Sequence, residues 1–251
     1  MAGQRVAVAG GRGLAGAHVV DELRGQGVEV VVLTRADGID VFTGHGLDAA
    51  LEGVDAVVDC TSTRARDAEA TRRFFGTVAT NLQTAAARTG VRRVVTLSIV
   101  GLESMAGRAH YAGKLAQERA SRAGAVPATI LRATQFHDFG AQLMRRSRKG
   151  PLVPVPIQPV QTVDLRTVAT HLARLGRGED EGATVQLAGP QRLTLAEVVR
   201  RTARARGERV VVVPVWLPGS AERAARDGAA LPPDGAILDG PSFDEWLGER
   251  A

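Results

Sequence analysis

The chain has 251 residues, 44% of them apolar and 24% charged, with one cysteine and a formal net charge of +5. A chain of this length buries roughly 70–75% of its unfolded surface and needs no disulfide or metal staple; the single Cys60 excludes an intrachain disulfide and a zinc–thiolate cluster. The positive charge does not imply nucleic-acid binding: the arginines are interleaved with acids, and aromatic residues are only 4%.

In chain order, residues 5–9 form a short apolar run, a glycine cluster follows, and 14–24 have helical spacing. A buried-strand run occupies 29–33, a short strand is expected at 40–42, and a small helix at 47–51. Further strands are expected at 56–60, 93–97 and 128–132. Helices are expected at 67–88 (broken near Gly76), 109–123 and 136–148. Apolar strands alternating with helices predict a doubly wound parallel sheet of Rossmann type. From Gly150 the texture changes. Pro151, Pro154, Pro156 and Pro159 predict an extended connection. Helix 165–175, strand 184–188, a helix opened by the capping box Thr194-Leu-Ala-Glu197, strand 210–213 and helices at 220–226 and 242–247 complete the chain. The expected organisation is a dinucleotide-binding core over 1–150 and a small C-terminal α/β substrate lobe over 151–251, integrated into one domain. The apolar run near the N-terminus is too short for a signal peptide, and no stretch reaches the ~20 residues of a membrane helix. A cytoplasmic protein without membrane or nucleic-acid partners is expected.

Gly10-Gly11-Arg12-Gly13-Leu14-Ala15-Gly16 joins the first strand to the first helix, the context in which a glycine loop binds the pyrophosphate of a dinucleotide. The second strand ends Val32-Leu33-Thr34-Arg35 with no acid at its tip. Arg35, with Arg12, suits a 2′-phosphate, which points to NADPH; Asp37 keeps NADH open.

These stretches, with Gly53-Val-Asp-Ala-Val-Val-Asp59, Val94-Val-Thr-Leu-Ser-Ile-Val-Gly101, Tyr111-Ala-Gly-Lys114 and Ile130-Leu-Arg-Ala-Thr-Gln-Phe136, resemble the short-chain dehydrogenase/reductases, in their atypical NmrA-like branch. The resemblance implies a catalytic Ser, Tyr and Lys. It sets Ser98 in the serine place and Lys114 in the lysine place. His110, not a tyrosine, stands four residues before Lys114, and Tyr111, the sole tyrosine, stands three before it. At ~100° per residue His110 and Tyr111 flank Lys114's direction on either side, so either can be the proton donor. Only two residues of the chain are lysine, at 114 and 149, against 32 basic residues in all, which supports a specific role for Lys114. The resemblance also sets Asp40 and Val41 at the adenine. Thr61 and Ser62 follow the next strand toward the cofactor, and Thr134, Gln135 and Phe136 fall on the nicotinamide and substrate side. His137, Phe139 and Trp216 are either pocket walls or core. Cys60 reads as a small buried hydrophobe. His18, His45 and His171 lack ligand spacing, so no metal is expected.

The expected function is reduction of a carbonyl or quinone-type small molecule with NADPH. The alternatives are a non-catalytic NAD(P)-sensing regulator and an isomerase or epimerase on the same fold.

Overall fold

The sequence's apolar runs become strands buried on both faces. The computed structural model describes residues 4–63, 65, 67–179 and 182–249. In chain order its elements are β1 (Arg5–Ala9), α1 (Leu14–Gly25), β2 (Glu29–Leu33), a 3-10 turn (Arg35–Asp37), α2 (Leu47–Leu51), β3 (Ala56–Asp59) and α3 (Ala68–Thr89). They continue with β4 (Arg93–Ile99), α4 (Ala109–Ala123), β5 (Ala128–Ala133), α5 (Phe139–Ser147), β6 (Leu152–Pro156), β7 (Pro159–Val160) and α6 (Leu165–Arg177). The last are β8 (Thr184–Ala188), β9 (Leu193–Thr194), α7 (Leu195–Ala205), β10 (Val211–Val215), α8 (Ser220–Arg226), β11 (Ile237–Leu238) and α9 (Phe243–Gly248).

Seven strands pair in parallel in the order β11-β8-β5-β4-β3-β1-β2. Alternation along each strand divides the core. Val6, Val8, Val58, Val95 and Leu97 face α1 and α6, whereas Ala7, Ala9, Val57 and Val94 face α2 and α3. The sheet is thus covered on both faces, as a Rossmann-type fold requires, and its strand order reverses between β1 and β3. Ligands of such sheets lie beyond the carboxyl ends of the strands at that crevice.

Several sequence expectations change. Residues 40–42 form a turn, not a strand: the Asp40 carboxylate accepts from the Phe42 and Thr43 amides, and Asn81 of α3 donates to the Val41 and Phe42 carbonyls. Helix α3 runs unbroken through Gly76, because its outward face there only meets α4. Helix α5 starts at Phe139, since Phe136 is still bridged to Val163. The proline-rich connection is partly sheet: β6 pairs with β10 and β7 with β9. These strands pack with α5, α7 and α9 around Val153, Val155, Val198, Phe243 and Trp246. Beyond residue 150, β8 and β11 extend the central sheet and α6 covers one of its faces. Among the described residues no helix is long and apolar enough to cross a membrane.

Candidate functional site at the carboxyl edge of the sheet

The glycine turn sits at the strand-order reversal. Gly10 has φ of 73°, a left-handed conformation, and a Cβ there would lie 2.7 Å from the Cys60 carbonyl oxygen. A Cβ on Gly16 would run into the Gly10 carbonyl. Gly13 donates its N–H to Gly10 and begins α1 without a side-chain cap. The free N–H groups of a twelve-residue helix therefore face a cradle that lacks side chains, with Arg12 and Leu14 exposed at its rim. This cradle fits a dinucleotide pyrophosphate on its own geometry.

At the tip of β2, Thr34 accepts the Ala36 amide and donates to Asp37, and Arg12 lies 3.7 Å from the same carboxylate. Arg35 is exposed beside them. Arginine and acid therefore share the tip. Asp40 and Val41 lie in the adjoining turn, where Asp40's carboxylate is engaged by its own backbone.

Beyond β3 and β4 lies a buried polar cluster. Asp59 accepts from the Thr61 hydroxyl at 2.6 Å and from the Gln117 amide at 2.5 Å. Lys114 donates to the Leu97 carbonyl and to Gln117, both at 2.8 Å, and to the Thr61 carbonyl at 3.5 Å, over the face of Phe75. Burial lowers the Lys114 pKa, and the charges of Asp59, Cys60 and Glu118 oppose that. Burial, then the charge of Asp59, pushes the Cys60 thiol up to about 12. Ser62 stays exposed. Ser98 does not turn toward this cluster. It donates to Glu118 at 2.5 Å, and Glu118 pairs with Arg132 and Arg122. The signal for these partners lay in α4: Lys114, Gln117, Glu118 and Ser121 recur at helical spacing and form a buried polar stripe.

His110 and Tyr111 go to different places. His110 meets the edge of Phe75 with one side still open to solvent. Desolvation where the ring meets Phe75, then the charges of Lys114 and Arg146, lower its pKa to about 4 although the residue as a whole is exposed. With that shift the imidazole carries no second proton at pH 7. Tyr111 is buried with Leu102 and Met105 beneath Ala225 and Ala230 of the C-terminal segment. Its hydroxyl lies within reach of Gln135 and Arg108, and burial raises its pKa. Both polar atoms of the Gln135 amide are buried without an aligned hydrogen-bond partner, as is the Thr134 hydroxyl. Phe136 packs on the α1/α6 side of the core. His137 and Phe139 belong to the C-terminal core, and His137 pairs with Thr162. Trp216 is 63% exposed with the Arg226 guanidinium over its ring, outside the core. His18 lies on α1, His45 in the bridge to Asp40, and His171 on α6 against Asp239.

A model of the NAD dependent epimerase/dehydratase family matches residues 6–137, more than half of the chain. The chain belongs to this family. The match spans the glycine turn, the β2 tip, the Asp59–Lys114 cluster and Tyr111. Solved structures share the fold along nearly the whole length. A UDP-N-acetylglucosamine 4-epimerase from Bacillus cereus is 19% identical, with a TM-score of 0.72 over 98% of this chain and 94% of its own. An NADPH-dependent quinone oxidoreductase from Escherichia coli, complexed with NADPH, is 16% identical, with a TM-score of 0.73 over 98% and 99%. A triphenylmethane reductase from Citrobacter sp., complexed with NADP(H), is 21% identical, with a TM-score of 0.65 over 97% and 95%. No curated protein matches the sequence.

Proposed function

We propose that the protein is an NADPH-dependent reductase of carbonyl or quinone-type small molecules, of the NmrA-like kind. The observation that carries this reading is Tyr111, buried beside Gln135 at the sheet edge that also holds the glycine turn. The quinone oxidoreductase and triphenylmethane reductase of the same fold support it. The turn from Gly10 to Gly16 holds the pyrophosphate, and Arg12 and Arg35 hold the 2′-phosphate. The reduced nicotinamide supplies a hydride to the substrate's electrophilic carbon.

Tyr111 then gives its phenolic proton to the substrate oxygen. Burial keeps that proton in place at neutral pH. Gln135's amide orients the oxygen. Lys114, fixed by three acceptors, keeps a positive charge beneath the site without donating the proton itself. Neutral His110 is a poor acid and lines the open side.

The test is NADPH oxidation across quinones and ketones. Tyr111→Phe lowers kcat by about 10²–10⁴, with NADPH affinity retained. Arg35→Ala weakens NADPH binding and spares NADH. A dead His110→Asn beside a fully active Tyr111→Phe would transfer the donor role to His110. One observation favours a second reading, a non-catalytic dinucleotide sensor: no tyrosine stands four residues before Lys114. Tight NADPH binding with no turnover on any substrate selects that reading.

A further inference from the structure

Arg108, the residue before α4, holds a carboxylate beside the buried Tyr111. Its Nε donates to Glu222 Oε1 at 2.9 Å and its Nη2 to Oε2 at 2.6 Å, a two-pronged fork. Nη2 also donates to Gln158 at 3.2 Å, and the guanidinium lies 5.9 Å from the centre of the Tyr111 ring. Both charged side chains are about three-quarters buried. Glu222 comes from α8, a seven-residue helix whose remaining grip on the site is small apolar surface: Ala221 beside Gly107, and Ala225 with Ala230 over Tyr111. Tyr111 is therefore covered by a short segment that carries a carboxylate and small apolar side chains. Directly beside it, the Gln135 amide is buried with the Tyr111 hydroxyl within reach but no aligned hydrogen bond. A charged fork and an amide without an aligned bond thus meet around one phenol, the donor types that recognise a carboxylate and its neighbouring oxygen.

We propose that Arg108 is the substrate's anchor, that the substrate carries a carboxylate, and that Glu222 occupies the carboxylate's place until α8 moves aside. The substrate class rests on the reductase reading above. The exchange keeps the ion count unchanged: one carboxylate leaves the fork as another enters. The displaced Glu222 retains a cation on its own helix, Arg226, four residues on. A latch with a purely structural role would hold α8 equally against charged and uncharged ligands, and this gives the test.

The probes are 4-formylbenzoate and its methyl ester, which differ by one charge at nearly constant shape. Calorimetry with saturating NADP+ gives each Kd for the wild type, Glu222→Gln and Arg108→Gln. Glu222→Gln, which removes the internal competitor, tightens the acid about tenfold, whereas Arg108→Gln weakens it about tenfold or more. The ester moves less than about twofold in both, since it never engages the charge. The acid-to-ester ratio cancels any effect of Arg108 on the fold or on Tyr111. Equal shifts for acid and ester, or no acid binding to Glu222→Gln, would overturn the proposal. NADPH oxidation with the same two aldehydes separates the two readings. Charge-selective binding without turnover keeps the carboxylate site and rejects the reductase. Turnover with an unchanged acid-to-ester ratio in Arg108→Gln does the reverse.

Discussion

His110 and Tyr111 are adjacent in sequence, yet one faces Phe75 and solvent and the other is buried among Leu102, Met105 and Ala225. The difference has a consequence for stability. The folded pKa of His110 is about 4, below its ordinary value of 6.5. The unfolded chain therefore binds the proton first as pH falls. The stability associated with neutral His110 is complete above pH 6.5 and is lost progressively toward pH 4. The ring keeps an open side, so the loss falls well short of that for a fully buried imidazole. Urea midpoints at pH 7.5 and 4.5 check this: His110→Gln shows a smaller drop than the wild type, and an equal drop would refute the assignment. The buried carboxylate of Glu118 does not enter this comparison. Its hydrogen bonds from Arg132, Ser98 and Arg122 outweigh burial and hold its pKa below 4.5, so its contribution is lost only below pH 4.5.

The element that decides cofactor binding is the β1–α1 turn. Its fit depends on a missing atom, because a Cβ at Gly16 would meet the Gly10 carbonyl. Gly16→Ala must push α1 off the turn, at a cost of about 1–3 kcal/mol, and NADPH affinity falls with it. Gly25, the last residue of the same helix, has open space around it. Gly25→Ala leaves affinity unchanged and raises stability by up to about 1 kcal/mol. Thermal unfolding and fluorescence titration of NADPH on the pair distinguish a specific cradle from general intolerance of α1 to substitution. Equal behaviour of the two variants would remove the glycine turn as the cofactor's seat.

At the scale of the whole molecule, residues after 150 return to complete what the first half began. Helix α9 places Phe243, fully buried, against His137, more than a hundred residues earlier, and against Trp246 one turn along the same helix. Phe243→Ala leaves a cavity that β6, α7 and α9 cannot collapse around. It costs about 3–5 kcal/mol, or roughly 10 °C in Tm for a chain of this size. Calorimetry shows one lowered transition if the C-terminal elements and the central sheet unfold together; two separated transitions would make the C-terminal elements independent.

The sequence by itself determined the βα alternation, the glycine turn and most element boundaries, since apolar period and glycine placement are local properties of the chain. Scarcity, together with the family resemblance, also singled out Lys114 and Tyr111. It could not place Asp40–Phe42, because whether three residues pair as a strand depends on a neighbour strand that is absent there and on Asn81, some forty residues away. Nor could it find Arg108 and Glu222, which look like two more charges among many and meet across 114 positions. The order of His110, Tyr111 and Lys114 was legible; their directions were not. A one-residue step along a helix turns a side chain by ~100°, and only the packing of α4 against Phe75 on one side and Ala225 on the other settles what each one faces.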